Sequence, residues 1–240
     1  MTICYIVAME AEAQPLINQY KMQEREGFFA PLPCRLWEQS DLDVLPCTLY
    51  VLTPGRQYDR DLIGCEAAAM LTTLAIERLK PDVVVNSGTC GGWNRYGMNV
   101  GEVYLGSGAM FHDRRVPGDN AWATQGLGNY ATWQGTAKMA ETLGLQTGKV
   151  TTGSSFDMTA EEEQTIYDND GRLKEMEGAA IAMVCSLYHM PVILVKAVTN
   201  LRDAPQDDME AFSKNLHTAA EALLKVNKQI IAYLSTQPTV

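Results

Sequence analysis

The sequence lacks the features of a membrane-spanning or nucleic-acid-binding protein. No apolar stretch approaches the roughly 18 residues that a transmembrane helix needs. Basic residues are scarce as well: 19 lysines and arginines stand against 29 aspartates and glutamates, which gives a net charge of −10. Because nucleic acids and anionic membrane surfaces attract basic proteins, this charge argues against both as partners. A small neutral ligand remains compatible with it.

Disulfide and metal-binding patterns are also missing. The six cysteines include no Cys-x-x-Cys pair, so we expect reduced thiols and a cytoplasmic location instead of a disulfide framework. His112, His189 and His217 are far apart and lack the spacing of zinc ligands. The glycine-rich segment 88–92 has neither the phosphate-loop nor the dinucleotide-binding spacing. The sequence therefore predicts no metal and no cofactor.

No linker, low-complexity segment or internal repeat divides the chain. We therefore expect a single domain over residues 1–240, which is long enough to bury a substantial core. The apolar run at residues 3–9 is short, has no basic lead and meets Glu10. It predicts a first strand and not a signal peptide.

Strand-like and helical segments alternate along the chain. Nearly continuous apolar runs predict strands at 3–8, 49–53, 82–86, 102–106, 150–153 and 191–200. Helical character predicts helices at 10–20, 62–78 and 178–186, and a final helix that begins near Asp207 or Asp208, with an apolar stripe that extends to Leu234. This alternation predicts an α/β fold of three layers, αβα. The apolar stripe of the last helix predicts a cover for the sheet.

Ligands of such folds collect beyond the carboxyl ends of the strands. That rule nominates the segments 9–12, 86–92, 153–158 and 199–203. Glu10 and Glu12 lie two residues apart on a predicted helix, so we expect only one of them to enter a cleft. Segment 88–92 predicts either a loop that lets the backbone approach a ligand or a tight turn between a strand and a helix.

Two further carboxylates stand where an extended segment enters a small-residue helix. If Glu175 and Glu177 belong to a strand, both face the same cleft, because residues two apart in a strand point the same way. If the chain turns between them, only one does. A solvated helix N-terminus, with acids that complement the helix dipole, explains the pair equally well.

Together these segments resemble the methylthioadenosine/S-adenosylhomocysteine nucleosidases, most closely their plant-type branch, within the purine nucleoside phosphorylase-like fold. The resemblance extends from the first strand to the last helix. It rests on segments that occur in the family's order: 7–12 (VAMEAE), 86–92 (NSGTCGG), 111–115 (FHDRR), 152–158 (TGSSFDM), 176–180 (MEGAA) and 196–199 (KAVT).

The resemblance implies a nucleoside phosphorylase-like fold with a central mixed sheet, and hydrolysis of the bond between a purine and C1′ of ribose. The implied substrate is a purine nucleoside, 5′-methylthioadenosine or S-adenosylhomocysteine. The family is generally a homodimer in which the neighbouring subunit covers the 5′ end of the substrate. Residues 111–125 are our predicted contact.

The family's roles map onto matching positions of this chain. Glu12 corresponds to the carboxylate that activates water, and Glu177 to the one that accepts hydrogen bonds from the ribose hydroxyls. Phe156 corresponds to the side chain that stacks on the base. The other implied substrate-binding residues are Met9, Thr89, Cys90, Gly91, Glu175, Met176 and Thr199.

Two positions depart from related enzymes. Phosphorylases of this fold bind phosphate with an arginine where this chain has Asn86, so water is the implied nucleophile unless Arg56, in another loop, substitutes. The family's general-acid aspartate, which protonates N7 of adenine, is Asn200 here. Asp203 is near in sequence, but nothing in the sequence brings it to the base.

Asn200 leaves several interpretations open, because an amide can donate to N7 but cannot deliver a proton. It is a lesion that keeps binding and lowers turnover, a change towards 6-oxopurine nucleosides such as inosine, or the mark of a purine-nucleoside binding protein. An interaction scaffold that reuses the fold is a further alternative. General-acid help is worth about 10²–10⁴-fold, so adenine release should be slow by about that factor.

Overall fold

The computed structural model describes residues 1–237. Its strands are β1 (Thr2–Ile6), β2 (Gln23–Glu24), β3 (Arg35–Gln39), β4 (Thr48–Thr53), β5 (Arg56–Gln57), β6 (Arg60–Asp61), β7 (Val83–Gly92), β8 (Val103–Phe111), β9 (Gln146–Thr152), β10 (Gly171–Glu175) and β11 (Val192–Leu201). Its α-helices are α1 (Glu10–Gln19), α2 (Cys65–Leu79), α3 (Asn120–Leu127), α4 (Thr136–Leu143), α5 (Ala160–Asp168), α6 (Gly178–Leu187) and α7 (Asp208–Ser235).

The central sheet has nine strands in the order β10-β9-β8-β11-β7-β1-β4-β3-β2. Strands β4, β1, β7 and β11 run parallel, whereas β8 is antiparallel to β11 and parallel to β9. The predicted mixed sheet is therefore confirmed. Because β1, β7 and β11 are parallel, their carboxyl ends meet at one edge of the sheet. A pairing of Lys174 with Gly91 brings the end of β10 to the same place.

Apolar side chains cover both faces of this sheet, which produces the predicted three layers. Along β7, Val84 packs into one core with residues of α2 and α6, such as Leu71. Its neighbours Val83 and Val85 face the opposite core with residues of α1 and α7, such as Leu223. The alternation follows from the strand geometry, in which successive side chains point to opposite faces.

The interpretation of residues 88–92 as a loop or tight turn is wrong. Strand β7 continues to Gly92, since its pairing with β11 extends to the partners Gly92 and Leu201, with an irregularity between Val198 and Asn200. The glycines weakened the local strand signal, but the neighbouring strand supplies the hydrogen bonds that keep this segment extended. The glycine-rich segment is thus the end of a central strand.

Other predicted elements differ mainly in their ends. Helix α2 begins at Cys65, three residues later than predicted, because Gly64 before it has a φ of 97° that ends any helical continuation. Helix α6 and the start of α7 agree with the predictions. None of the helices in the described part of the chain has the length and apolar character to cross a bilayer.

Candidate active site

A cavity opens at the sheet edge where β1, β7, β10 and β11 end. Every nominated segment contributes to its wall, and the predicted site residues all line it: Met9, Glu12, Thr89, Cys90, Gly91, Phe156, Glu175, Met176, Glu177, Thr199 and Asn200. Residues to which the sequence assigned no role in the site also line it: Ile63, Lys174, Lys196, Arg202, Met209 and Phe212. Side chains from distant parts of the chain therefore face one space.

Glu12 enters the cavity from the first turn of α1. Its Oε1 accepts hydrogen bonds from the Thr89 amide at 2.8 Å and the Thr89 hydroxyl at 2.7 Å. Burial raises the pKa of Glu12, and the bonds from Thr89 oppose that rise. A side chain at Gly88 would place its Cβ 3.4 Å from Oε2, so a glycine there keeps space beside the carboxylate. Glu10 points away and pairs with Arg35, as expected for neighbours on a helix.

Both carboxylate oxygens of Glu175 accept hydrogen bonds from protein groups. Its Oε2 accepts hydrogen bonds from Lys196 Nζ at 2.7 Å, the Gly178 amide at 2.7 Å and the Glu177 amide at 3.0 Å, while the Thr152 hydroxyl donates to Oε1. Burial alone would raise the pKa of Glu175, but Lys196 and these bonds hold it below the usual value. The ionised carboxylate therefore caps the start of α6 and neutralises a buried lysine.

Glu177 lies just past the turn, and its carboxylate accepts fewer hydrogen bonds from the protein than that of Glu175. Its Oε1 accepts one hydrogen bond, from the Gly64 amide at 2.8 Å. Burial, followed by the neighbouring charge of Glu175, raises the pKa of Glu177 to about 7. The chain thus turns between the two glutamates, and yet both line the cavity, whereas the sequence predicted that a turn would leave only one of them there. Glu175 is tied to the protein, whereas Glu177 retains capacity to accept further hydrogen bonds.

The aromatic wall comes from two distant segments. Phe156 packs edge-on against Phe212 of α7, with ring centroids 5.6 Å apart. Lys174 Nζ holds the Phe156 segment by donating to the carbonyls of Ser155 at 2.9 Å and Phe156 at 3.0 Å. Burial lowers the pKa of Lys174 to about 8. The sequence places Phe212 in the apolar stripe of the last helix, which was predicted to cover the sheet. Its position near the start of that stripe is the only sequence signal that points to the site.

Both the oxygen and the nitrogen of the Asn200 side-chain amide are hydrogen-bonded to neighbouring side chains. The Thr199 hydroxyl donates to its Oδ1 at 2.9 Å, and its Nδ2 donates to Asp208 Oδ1 at 2.7 Å. Asp208, the first residue of α7, also pairs with Arg202. Asp203 lies elsewhere: it accepts hydrogen bonds from the amides of Asn94 and Arg95.

Neither Asn86, which replaces the phosphate-binding arginine, nor Arg56, the candidate substitute for it, is placed to bind an anion in the cavity. Asn86 Nδ2 donates to the Ile6 carbonyl at 3.0 Å, which ties the amide to β1. Arg56 is exposed and donates to the Asp59 carbonyl at 2.7 Å. It is not among the residues that line the cavity. Within residues 1–237, no group of three or more His, Cys, Asp or Glu side chains is placed to hold a metal ion.

Comparison with known proteins agrees with this architecture. Residues 2–232 match the family profile of the phosphorylase superfamily. Two Arabidopsis thaliana proteins are similar along nearly the whole chain: a 5′-methylthioadenosine nucleosidase, 35% identical over 98% of this chain and 87% of its own, and a 5′-methylthioadenosine/S-adenosylhomocysteine nucleosidase, 33% identical over 98% and 92%.

A solved structure supports the same grouping. The apo form of Arabidopsis thaliana 5′-methylthioadenosine nucleosidase superposes with a TM-score of 0.93, at 35% identity and with 98% of this chain and 96% of that chain covered. The chain therefore belongs to the phosphorylase superfamily and, within it, to the 5′-methylthioadenosine/S-adenosylhomocysteine nucleosidases.

Proposed function

We propose that the protein hydrolyses the N-glycosidic bond of 5′-methylthioadenosine, releasing adenine, with S-adenosylhomocysteine as a second candidate substrate. The observation that carries this proposal is that Glu12 and Glu177, which lie far apart in sequence, line one cavity. The activity of the Arabidopsis relatives supports the choice of substrate.

Glu12 is the proposed water-activating base. Its Oε1 is committed to two hydrogen bonds from Thr89, so Oε2 is the oxygen that we assign to the water proton. A pKa raised by burial makes the carboxylate a stronger base than an exposed glutamate. The water then attacks C1′ as the bond to the purine breaks.

Glu177 is the proposed ribose ligand. The Gly64 amide donates one hydrogen bond to the Glu177 carboxylate, which can accept further hydrogen bonds from two ribose hydroxyls. Met176 lines the same cavity. A 2′-deoxynucleoside would leave part of this buried acceptor unpaired, so the site should discriminate strongly against it. Glu175 is proposed to act indirectly, by fixing the turn that presents Glu177.

Water is the proposed nucleophile in preference to phosphate. The amide of Asn86 is tied to the Ile6 carbonyl, and Arg56 is exposed outside the cavity wall, so neither offers the cation that a phosphate needs. Adding inorganic phosphate should therefore leave the rate of adenine release unchanged.

A homodimer is proposed from the family resemblance. Phe111, Asp113 and Arg114, within the predicted contact region, line a surface groove together with residues of α2 and α6 such as Cys65 and Ala180. Trp122 of α3 is 54% exposed, which suits a side chain that a second subunit covers. Light scattering after gel filtration measures the molar mass in solution, which should be twice the 26.5 kDa of one chain. The cytoplasmic location predicted from the cysteines stays a prediction.

Chromatographic detection of adenine from 5′-methylthioadenosine tests the proposed reaction. We expect slow but measurable release, which Glu12→Gln should lower by about 10²–10⁴-fold. A scaffold or a pure binding protein would release no adenine, and a scaffold would also show no binding heat in titration calorimetry with the nucleoside. Release that persists unchanged in Glu12→Gln would rule out the proposed base.

A further inference from the structure

The loop that carries Phe156 lacks main-chain pairing of its own. Residues 154–158 connect β9 to α5, and within the described part of the chain none of their amides or carbonyls bonds to another main-chain group. Ser154, Ser155 and Asp157 are also exposed. Segments with few buried contacts and few main-chain hydrogen bonds open readily. Side chains must therefore set the position of Phe156.

Lys174 supplies hydrogen bonds that this loop lacks. It lies in β10, is 5% exposed, and its Nζ donates to two consecutive carbonyls, those of Ser155 at 2.9 Å and Phe156 at 3.0 Å. These carbonyls belong to the peptide groups on either side of the Phe156 Cα. Holding both peptide groups restricts the backbone at Phe156, and with it the direction in which the ring leaves the chain.

A buried lysine at this position needs an explanation, because burial strips an ammonium group of its water. Burial, followed by the charge of Arg202, lowers the pKa of Lys174 to about 8, and nearby carboxylates limit the fall. The side chain is therefore still mostly protonated at neutral pH. Within residues 1–237 Lys174 forms no ion pair, so its hydrogen bonds to the loop are the direct compensation for burial. Bonds from a charged donor are stronger than those from a neutral one.

Both ends of the loop are fixed independently of Lys174. At its start, the Ser154 amide donates to Asp113 Oδ2 at 2.6 Å. After its end, Thr159 begins α5 with a capping box that includes Glu162. Loss of the Lys174 side chain should therefore loosen the middle of the loop, where Phe156 lies, and leave β9 and α5 in place.

We propose that Lys174 is a positioning residue for the purine, because its bonds to the loop keep the Phe156 ring in the orientation that stacks on the base. The proposal rests on the hydrolysis proposed above and adds a residue that acts on the base through Phe156. Stacking holds the base in the ground state and in the transition state alike. Loss of the anchor should therefore weaken binding far more than it slows the chemical step.

Lys174→Met tests this role, because methionine is a long side chain without a donor. We expect its KM for 5′-methylthioadenosine, and its dissociation constant for adenine in titration calorimetry, to rise at least about fivefold, since the loop then holds the binding arrangement only part of the time. Its kcat should stay within about twofold of the wild type. A merely structural role would instead lower the active fraction, and so kcat, at an unchanged KM.

Lys149→Met is the matched control. Lys149 Nζ also donates to a main-chain carbonyl, that of Asn169 at 2.9 Å, but Lys149 is not among the residues that line the cavity. Its KM and adenine affinity should match those of the wild type. Lys174→Gln keeps a neutral donor and should show smaller changes in the same direction as Lys174→Met. It takes the place of Lys174→Met if that variant fails to fold.

Limited digestion with chymotrypsin reports on the loop itself, because the protease cleaves after phenylalanine in segments that open. Lys174→Met should be cut after Phe156 faster than the wild type and Lys149→Met, with the fragments identified by mass. This measurement requires a folded protein but no reaction. Equal rates of cleavage after Phe156 in all three proteins would refute the anchor.

The binding and kinetic results decide separate claims. Unchanged KM and adenine affinity in Lys174→Met, or a fall in kcat alone, overturns the positioning role and leaves the proposed hydrolysis intact. A wild type that binds adenine but releases none from the nucleoside overturns the proposed function, while the adenine titrations still decide the role of Lys174. A wild type that neither binds nor releases adenine overturns both.

Discussion

Lys196 and Glu175 form an ion pair, 2.7 Å from Nζ to Oε2, with side chains only 1% and 2% exposed. The pair lies under the cavity between β11 and the end of β10. Burial would lower the pKa of Lys196, but Glu175 and the nearby Glu177 and Glu12 raise it above the usual value. Lys196 therefore offsets part of the negative charge of the carboxylates that the site brings together.

Lys196→Met should destabilise the protein, because it leaves Glu175 buried without its counter-charge. The expected loss in the free energy of unfolding is about 3–5 kcal/mol, measured by urea denaturation. Lys138→Met is the matched control, since Lys138 and Glu141 form an ion pair with both side chains 71% exposed. Its unfolding curve should stay close to that of the wild type. Equal stabilities of the two variants would contradict the structural importance of the buried pair.

Glu12→Gln should lower kcat for nucleoside hydrolysis by about 10²–10⁴-fold, because an amide cannot accept the water proton. Thermal unfolding should show a folded variant, since glutamine can still accept the hydrogen bonds from Thr89. Glu10→Gln, two residues away on the outer face of α1, should keep the wild-type rate. Similar rates for both variants would exclude Glu12 as the base.

Glu177 should make stability depend on pH. Because its pKa rises from 4.5 to about 7 on folding, the folded state binds more protons than the unfolded state between these values. The free energy of unfolding should therefore fall as the pH rises through this window. Glu177→Gln removes this dependence and should gain stability relative to the wild type from pH 4.5 to 7. Exposed Glu161→Gln should follow the wild type, and parallel curves for all three proteins would refute the shift.

Asn200→Asp should raise adenine release from 5′-methylthioadenosine at least about tenfold, because it restores a group that can carry a proton. Asp208 would share that proton with the new carboxylate and keep it bound near neutral pH. In Asn200→Asp with Asp208→Asn, Arg202 favours ionisation of the carboxylate, so the gain should be smaller. No gain in the single variant would show that the amide does not limit adenine release.

The local patterns of the chain predicted much of the fold. Strand β11 and helix α6 carry unambiguous signals, a β-branched run and a small apolar run, and both form close to the predicted bounds. The extension of β7 to Gly92 was missed because it depends on pairing with β11, more than a hundred residues later in sequence. Long-range pairing of this kind leaves no mark in the glycine-rich segment itself.

The predicted site positions all face the cavity, but the residues that hold them were harder to foresee. Lys174 lies within a strand and Phe212 within a helix, and neither segment shows that its side chain reaches the site. Arg202 lies between Asn200 and Asp203 in a polar segment, which indicates only a solvated loop. Its burial depends on Gly91 and on the first turn of α7, contacts that exist only in the folded chain.

The continuation of β7 to Gly92 also determines which parts of the site can adapt to a ligand. Main-chain groups of residues 88–92 are engaged in pairing with β11 and cannot shift without breaking the sheet. Adjustment to a nucleoside is therefore expected from the side chains that line the rest of the cavity, such as Phe156 and Phe212, whose rings meet from two separate segments. We accordingly expect truncation of either ring to change how fast substrate enters and product leaves more than it changes the position of residues 88–92.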